Sequence, residues 1–181
     1  LVKKRKIDRE HYIMERVTVF GGSGFLGRKL ALKLSKNYKV TTAQRKSFYK
    51  KNTKNLYYTK LDCTNFLQCK KKIKNYDIVI NAAAIINGTD PNKDFKVNII
   101  IFLFSFIASI KNNINYYYFI SSNSVYEKII YNNKKKNNIN SYNFYKIFCE
   151  FIGLNLFSKF KIKFNILRLA NLYGPHMKNG F

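Results

Sequence analysis

Tyr142 and Lys146 stand four residues apart, so on a helix they share one face. An ammonium beside a phenol favours the phenolate and draws its pKa down from about 10 toward the working range. Such a tyrosine can exchange a proton with a substrate hydroxyl or carbonyl. Tyr131 and Lys135 share the spacing but sit in a low-complexity stretch, whereas the Tyr142 pair leads into an apolar helical pattern, Ile147, Phe148, Phe151 and Ile152. In a chain with 14 tyrosines the spacing alone also fits a surface tyrosine. A hydroxyl-rich stretch lies twenty residues earlier, where Phe119-Ile-Ser-Ser-Asn-Ser-Val-Tyr126 places Ser122 and Ser124 just after an apolar run. Hydroxyls at that point can hold a substrate oxygen, or can simply end a strand.

A third pattern concerns phosphate. Gly21, Gly24 and Gly27 recur at spacing three, after the run Val17-Thr-Val-Phe20 and before a helical pattern of Leu30, Ala31 and Leu34. Strand, glycine turn and helix in that order are what a dinucleotide site requires. The first glycine allows the tight turn and the second lets backbone approach a pyrophosphate. The third lets helix pack on strand, with the helix N-terminus facing the negative charge.

Elements must hold these groups in place, and the chain alternates strands with helices. Strands are predicted at 16–20, 39–44, 56–61, 77–81, 116–121 and 163–169. Helices are predicted from Phe25 to about Asn37, from a Thr64 cap to about Lys74, near 95–112, and from about Tyr142 to Phe157. The apolar run at 77–81 suits a strand covered on both faces. Residues 128–140 are lysine- and asparagine-rich and read as a loop. This alternation implies a parallel, doubly wound α/β sheet.

Composition excludes several classes. The chain has 181 residues, 46% of them hydrophobic, which fits one domain and excludes global disorder. Its three cysteines, Cys63, Cys69 and Cys149, fall in no metal or redox spacing, so no metal site and a reducing cytoplasm are expected. Residues 1–16 lack the apolar core of a secretory signal. The run Val97 to Ile110 is shorter than the about 20 residues a membrane span needs, so it reads as a buried helix. The formal charge of +25 permits polyanion binding at low salt. However, the lysines are scattered, and Lys, Asn, Ile, Phe and Tyr are abundant together, as AT-rich codon usage produces. No specific nucleic-acid or membrane partner is expected.

In combination and order these motifs resemble the extended short-chain dehydrogenase/reductase family, the NAD-dependent epimerase/dehydratase group that works on nucleotide sugars. The resemblance runs from about Arg16 to Phe181. It comprises G-G-S-G-F-L-G at 21–27, Asp62 after the third strand, I-N-A-A-A at 80–84 and V-N at 97–98. S-S-N-S-V-Y at 121–126, Y-x-x-x-K at 142–146 and R-L-A-N-L-Y-G-P at 168–175 complete it. It implies a three-layer α/β/α Rossmann domain over 16–181, behind a basic extension at 1–15. It implies cofactor contacts at Gly21, Gly24, Phe25, Leu26, Gly27, Asp62 and Cys63, then at Ala82, Ala83, Ala84 and Asn98. By position Ser122 matches the family's catalytic Ser or Thr, with Ser124 a neighbour of weaker claim. Tyr142 matches the acid/base, and Lys146 the residue that holds the nicotinamide ribose. Asn98 would support the site from the fourth helix, and Asn171 would face the sugar. The resemblance also implies a homodimer through the helices near 95–112 and 142–157.

Three departures qualify it. Ala43-Gln44-Arg45-Lys46 ends the second strand without the carboxylate that NAD-preferring members carry, and Arg45 suits a 2′-phosphate, so NADP is favoured over NAD. Glu127 stands where the family usually has glycine. Extended members continue well past Y-G-P into a sugar-nucleotide subdomain. The chain also opens on leucine, with Met14 just before the first strand, so a fragment or truncated product lacking that subdomain is expected.

Overall fold

The computed structural model describes residues 15–44, 52–73, 78–86, 88–126 and 141–174. The extension at 1–14, Arg45, Asp77, Glu127 and the 128–140 stretch with Tyr131 and Lys135 lie outside them. The strands are β1 (Arg16–Phe20), β2 (Lys39–Gln44), β3 (Leu56–Lys60), β4 (Ile78–Asn81), β5 (Tyr116–Ser122) and β6 (Lys163–Leu169). The helices are α1 (Phe25–Leu34), α2 (Phe66–Lys72), α3 (Pro91–Phe95), α4 (Ile101–Lys111) and α5 (Ser141–Phe157), with a π-helical turn at Lys96–Ile100 joining α3 to α4. The six strands form one parallel sheet in the order β3-β2-β1-β4-β5-β6. This is the Rossmann-type, three-layer α/β/α fold. The strand order reverses between β1 and β4, and in such sheets ligands bind beyond the carboxyl ends of the strands at that reversal.

Each face of the sheet buries its own cluster. Val17, Val19, Val40 and Leu56 pack with Ala31 of α1 on one side. On the other, Phe102 and Phe106 of α4 meet Phe119 and Tyr117 of β5, each pair at a centroid distance of 5.0 Å, and Phe164 of β6 joins them. Aromatic rings at this spacing fill the wide gap between helix and sheet. α4 buries Ile101, Phe102, Phe106 and Ala108 and leaves Leu103, Phe104, Ile107 and Ile110 half-buried. No helix among the described residues is long and apolar enough to cross a membrane.

Three helix ends differ from the sequence expectation. α1 stops at Leu34 because the Asn37 and Tyr38 amides both bond the Leu34 carbonyl, at 3.0 and 2.9 Å, and turn the chain back into β2. α2 is capped by Asn65, whose Oδ1 accepts from the Gln68 amide at 3.0 Å. Thr64 does not cap it; its amide and hydroxyl both bond Asp62 Oδ1, at 2.9 and 2.6 Å. The apolar helix near 95–112 begins earlier, at Pro91, with Asp90 Oδ1 accepting from the Lys93 amide at 3.1 Å.

Candidate functional site

The glycine turn joins β1 to α1 at the strand-order reversal. Gly21 has φ +78, and a Cβ there would lie 2.7 Å from the Ala83 amide nitrogen, so both its backbone and the approach of the β4 loop demand glycine. A Cβ at Gly27 would meet the Gly21 carbonyl oxygen at 2.2 Å, so this glycine lets α1 close on the turn. Gly24 is different: a Cβ would touch only the Gly21 oxygen, at 3.2 Å, and space lies in front of it. α1 has neither a side-chain cap nor an acidic residue in its first turn. The N–H groups of its first turn, at Phe25, Leu26 and Gly27, lack helical acceptors and present positive potential.

A cleft of about 510 Å³ opens in front of this turn. It brings together Gly21 and Gly24, Asp62 and Cys63 beyond β3, and Ala82, Ala83 and Ala84 beyond β4. Its volume, its open glycine and the uncapped helix start fit a dinucleotide with its pyrophosphate against α1. The wall beyond β4 is held from beneath. Asn81 Oδ1 accepts from the Ala83 amide at 3.0 Å, and Asn81 Nδ2 donates to the Tyr117 hydroxyl at 3.2 Å. Asn98 lies in the π-helical turn and is buried. Its Nδ2 donates to the Ile85 and Asp94 carbonyls, both at 3.0 Å, and its Oδ1 accepts from the Ile85 amide at 3.2 Å. Its side chain thus clamps the loop that borders the cleft.

The hydroxyl stretch and the Tyr-Lys pair meet at the end of β5. Ser122 is hydrogen-bonded to the Tyr142 hydroxyl. Ser122 Oγ lies 2.8 Å from Ser124 Oγ, and Ser124 Oγ donates to Asn143 Oδ1 at 2.7 Å. Asn143, buried on α5 beside Tyr142, thus anchors Ser124 next to Ser122. Sequence reasoning passed over it, and its only signal is its place next to the tyrosine. Asn171 is exposed just beyond β6.

Lys146 departs from the expected picture. Its Nζ donates to the Ile120 carbonyl at 2.7 Å and lies over the Tyr142 ring, 5.5 Å from the centroid. Burial pulls its pKa down to about 8, opposed by Cys149 and Glu150. Tyr142 was expected to be shifted down, but burial pushes it up, with the Ser122 hydrogen bond only partly offsetting this. The physical reason is that desolvation acts on both members of the pair.

The lysine shift carries a sign. A depressed folded-state pKa means that between pH 8 and the ordinary 10.5 the unfolded chain binds more protons. The contribution of Lys146 to stability therefore rises with pH across that window. Relative to Lys146→Met, the parent should become more stable by up to about 1.4 kcal/mol per pH unit above pH 8. Urea denaturation at several pH values checks this, and a flat or falling difference contradicts it.

A parallel sheet in this order, with a glycine turn at its reversal, defines a dinucleotide-binding fold. The chain belongs to the NAD dependent epimerase/dehydratase family, whose model matches residues 17–181. Among solved structures it is similar to the UDP-N-acetylglucosamine 4-epimerase of Methanobrevibacter ruminantium M1, solved in complex with UDP-N-acetylmuramic acid. The identity is 28% and the TM-score 0.79, over 92% of this chain and 58% of that one. It is also similar to the UDP-glucose 4-epimerase of Thermotoga maritima, solved with UDP-glucose, at 26% identity and TM-score 0.75, over 90% of this chain and 58% of that one. The Thermus thermophilus UDP-glucose 4-epimerase, solved with NAD, shares the fold at 20% identity and TM-score 0.77, over 91% of this chain and 58% of that one. The chain thus spans less than two thirds of the length of these three relatives. Comparison with curated proteins returns no match.

Proposed function

We propose that the chain is the cofactor-binding part of an NAD(P)-dependent epimerase, dehydratase or reductase acting on a nucleotide sugar. The observation that carries this reading is the meeting of Ser122, Tyr142 and Lys146 at the end of β5, on the same carboxyl edge of the sheet as the glycine-turn cleft. When bound, the dinucleotide supplies hydride acceptance and return. Gly21, Gly24, Phe25, Leu26 and Gly27 hold its pyrophosphate, while Asp62, Cys63 and Ala82 to Ala84 enclose its adenosine half. Tyr142 Oη takes or returns the proton of the sugar hydroxyl. Ser122 bonds the same oxygen, and Lys146 orients the tyrosine and the nicotinamide ribose. Ser124 and Asn171 face the sugar. Residues 16–181 supply the cofactor half of the site in a reducing, cytoplasmic setting, and Arg45 favours NADP over NAD. The test is to mix the chain with NADP or NAD and UDP-sugars and follow reduced-nicotinamide fluorescence. Appearance of the signal with a sugar, and not without, supports the reading.

A second reading is a dinucleotide-binding subunit without turnover. The raised Tyr142 pKa and the Lys146 bond to the Ile120 carbonyl favour it. Tight dinucleotide binding with no reduction by any nucleotide sugar would select it.

The reading includes a homodimer. Phe144, Phe148, Phe151 and Leu154 leave an apolar face of α5 exposed, next to exposed Phe95 of α3. Paired copies would cover such a face. Phe151, 63% exposed, is its most open member, and Phe151→Lys should convert the dimer to monomer. Light scattering checks this, and a parent that is monomeric at all concentrations contradicts it.

A further inference from the structure

We propose that Glu150, Arg168 and Tyr126 form a clamp that holds the serine turn after β5 against α5, and that all three are therefore positioning residues for proton transfer at Tyr142. The inference rests on the reading of Ser122, Tyr142 and Lys146 as the reacting site. β5 ends at Ser122, and the turn that follows, Asn123 to Tyr126, carries Ser124. Asn123 donates its amide to the Leu169 carbonyl at 2.8 Å, and Ser124 bonds Asn143 of α5. At the end of the turn the Tyr126 ring faces the Arg168 guanidinium, whose Cζ lies 4.5 Å from the ring centroid. Arg168 stands on β6 opposite Ser121 and is held in turn by Glu150 of α5. Its Nε donates to Glu150 Oε1 and Oε2 at 3.1 and 3.2 Å, and its Nη2 donates to Oε2 at 2.6 Å.

Stability alone does not account for this pair. Glu150 is 5% exposed, so its carboxylate gives up hydration that an apolar side chain of the same volume would not need. What an apolar pair would lack is direction. A fork of N–H groups on a carboxylate fixes the plane of the guanidinium, and the plane fixes the ring stacked on it. Tyr126 is 44% exposed, so its place depends on the guanidinium more than on burial. Glu150 also stands one helical turn beyond Lys146 on α5, where its charge favours the protonated lysine. The pair thus joins β6, the turn after β5 and the helix that carries Tyr142 and Lys146. Proton transfer needs such a joint, because a misplacement of about 1 Å can cost about 10²-fold in rate.

The test uses the full chain labelled with 3-fluorotyrosine, in which the Tyr142 fluorine resonance is the one lost in Tyr142→Phe. The variants are Tyr126→Ala, Tyr126→Phe and the double change Glu150→Gln with Arg168→Met, which removes the pair without leaving a buried charge. Each is compared with the parent for that resonance, for dinucleotide affinity and for single-turnover hydride transfer with a nucleotide sugar. Tyr126→Ala and the double variant should move or broaden the Tyr142 resonance and slow transfer by about 10- to 100-fold, with dinucleotide affinity unchanged. Tyr126→Phe keeps the ring and should match the parent in all three. If the double variant does not fold, Tyr126→Ala decides. A Tyr126→Ala variant with the parent's resonance or the parent's rate, and only a lower melting temperature, overturns the clamp, as does a Tyr126→Phe variant that behaves like Tyr126→Ala. A parent that transfers no hydride overturns the reaction reading instead, and the Tyr142 resonance then decides the clamp by itself.

Discussion

Tyr142→Phe should lower the rate of hydride exchange with a nucleotide sugar by about 10² to 10⁴, the range typical of lost general acid–base catalysis. The phenyl ring keeps the packing of the phenol, including its place beneath the Lys146 ammonium. Dinucleotide affinity should therefore hardly change. What disappears is the hydroxyl bonded to Ser122, and with it the group that would take or return the proton of the sugar hydroxyl. Single-turnover reduction of the bound cofactor is the appropriate measurement, because it isolates chemistry from product release. Tyr131→Phe, at the same sequence spacing from a lysine, should be near neutral. A damaging Tyr131→Phe would mean that the wrong tyrosine has been assigned. If neither change mattered while dinucleotide still bound, the subunit without turnover would be the better reading.

The second large effect separates two glycines of one motif. Gly24→Val should abolish dinucleotide binding and leave the fold, because the new side chain enters the space before the uncapped start of α1. Gly27→Ala should act on stability instead. Its Cβ would press the Gly21 carbonyl oxygen at 2.2 Å, forcing α1 away from the turn. Overpacking of this kind costs about 1 to 3 kcal/mol. Denaturant melts and titrations of both variants make the comparison. A Gly24→Val variant that binds like the parent would remove the pyrophosphate from this turn.

The sheet was legible because its signals are local. β2 and β6 carry the bounds the residues suggest, since each gathers β-branched, aromatic or aliphatic residues that suit a pleated, half-buried surface. The strand–glycine–helix order similarly announced the turn. Tertiary information was not legible. Spacing placed Tyr142 and Lys146 on one face, but not inside the protein, and burial reversed the expected direction of the tyrosine shift. Asn98 was identified as important from its motif. Its bonds to Ile85 depend on a π-helical turn that no residue pattern announces. Asn65 took the cap from Thr64 because Asp62 had already engaged the threonine.

The most direct test of the account is calorimetric titration of the unaltered chain with NADP and NAD in parallel. The account predicts saturable binding of one dinucleotide per chain, with NADP at least as tight as NAD, at physiological ionic strength. Heat that vanishes at that salt concentration, or equal binding of an unrelated polyanion, would trace the interaction to the +25 charge and contradict a built dinucleotide site.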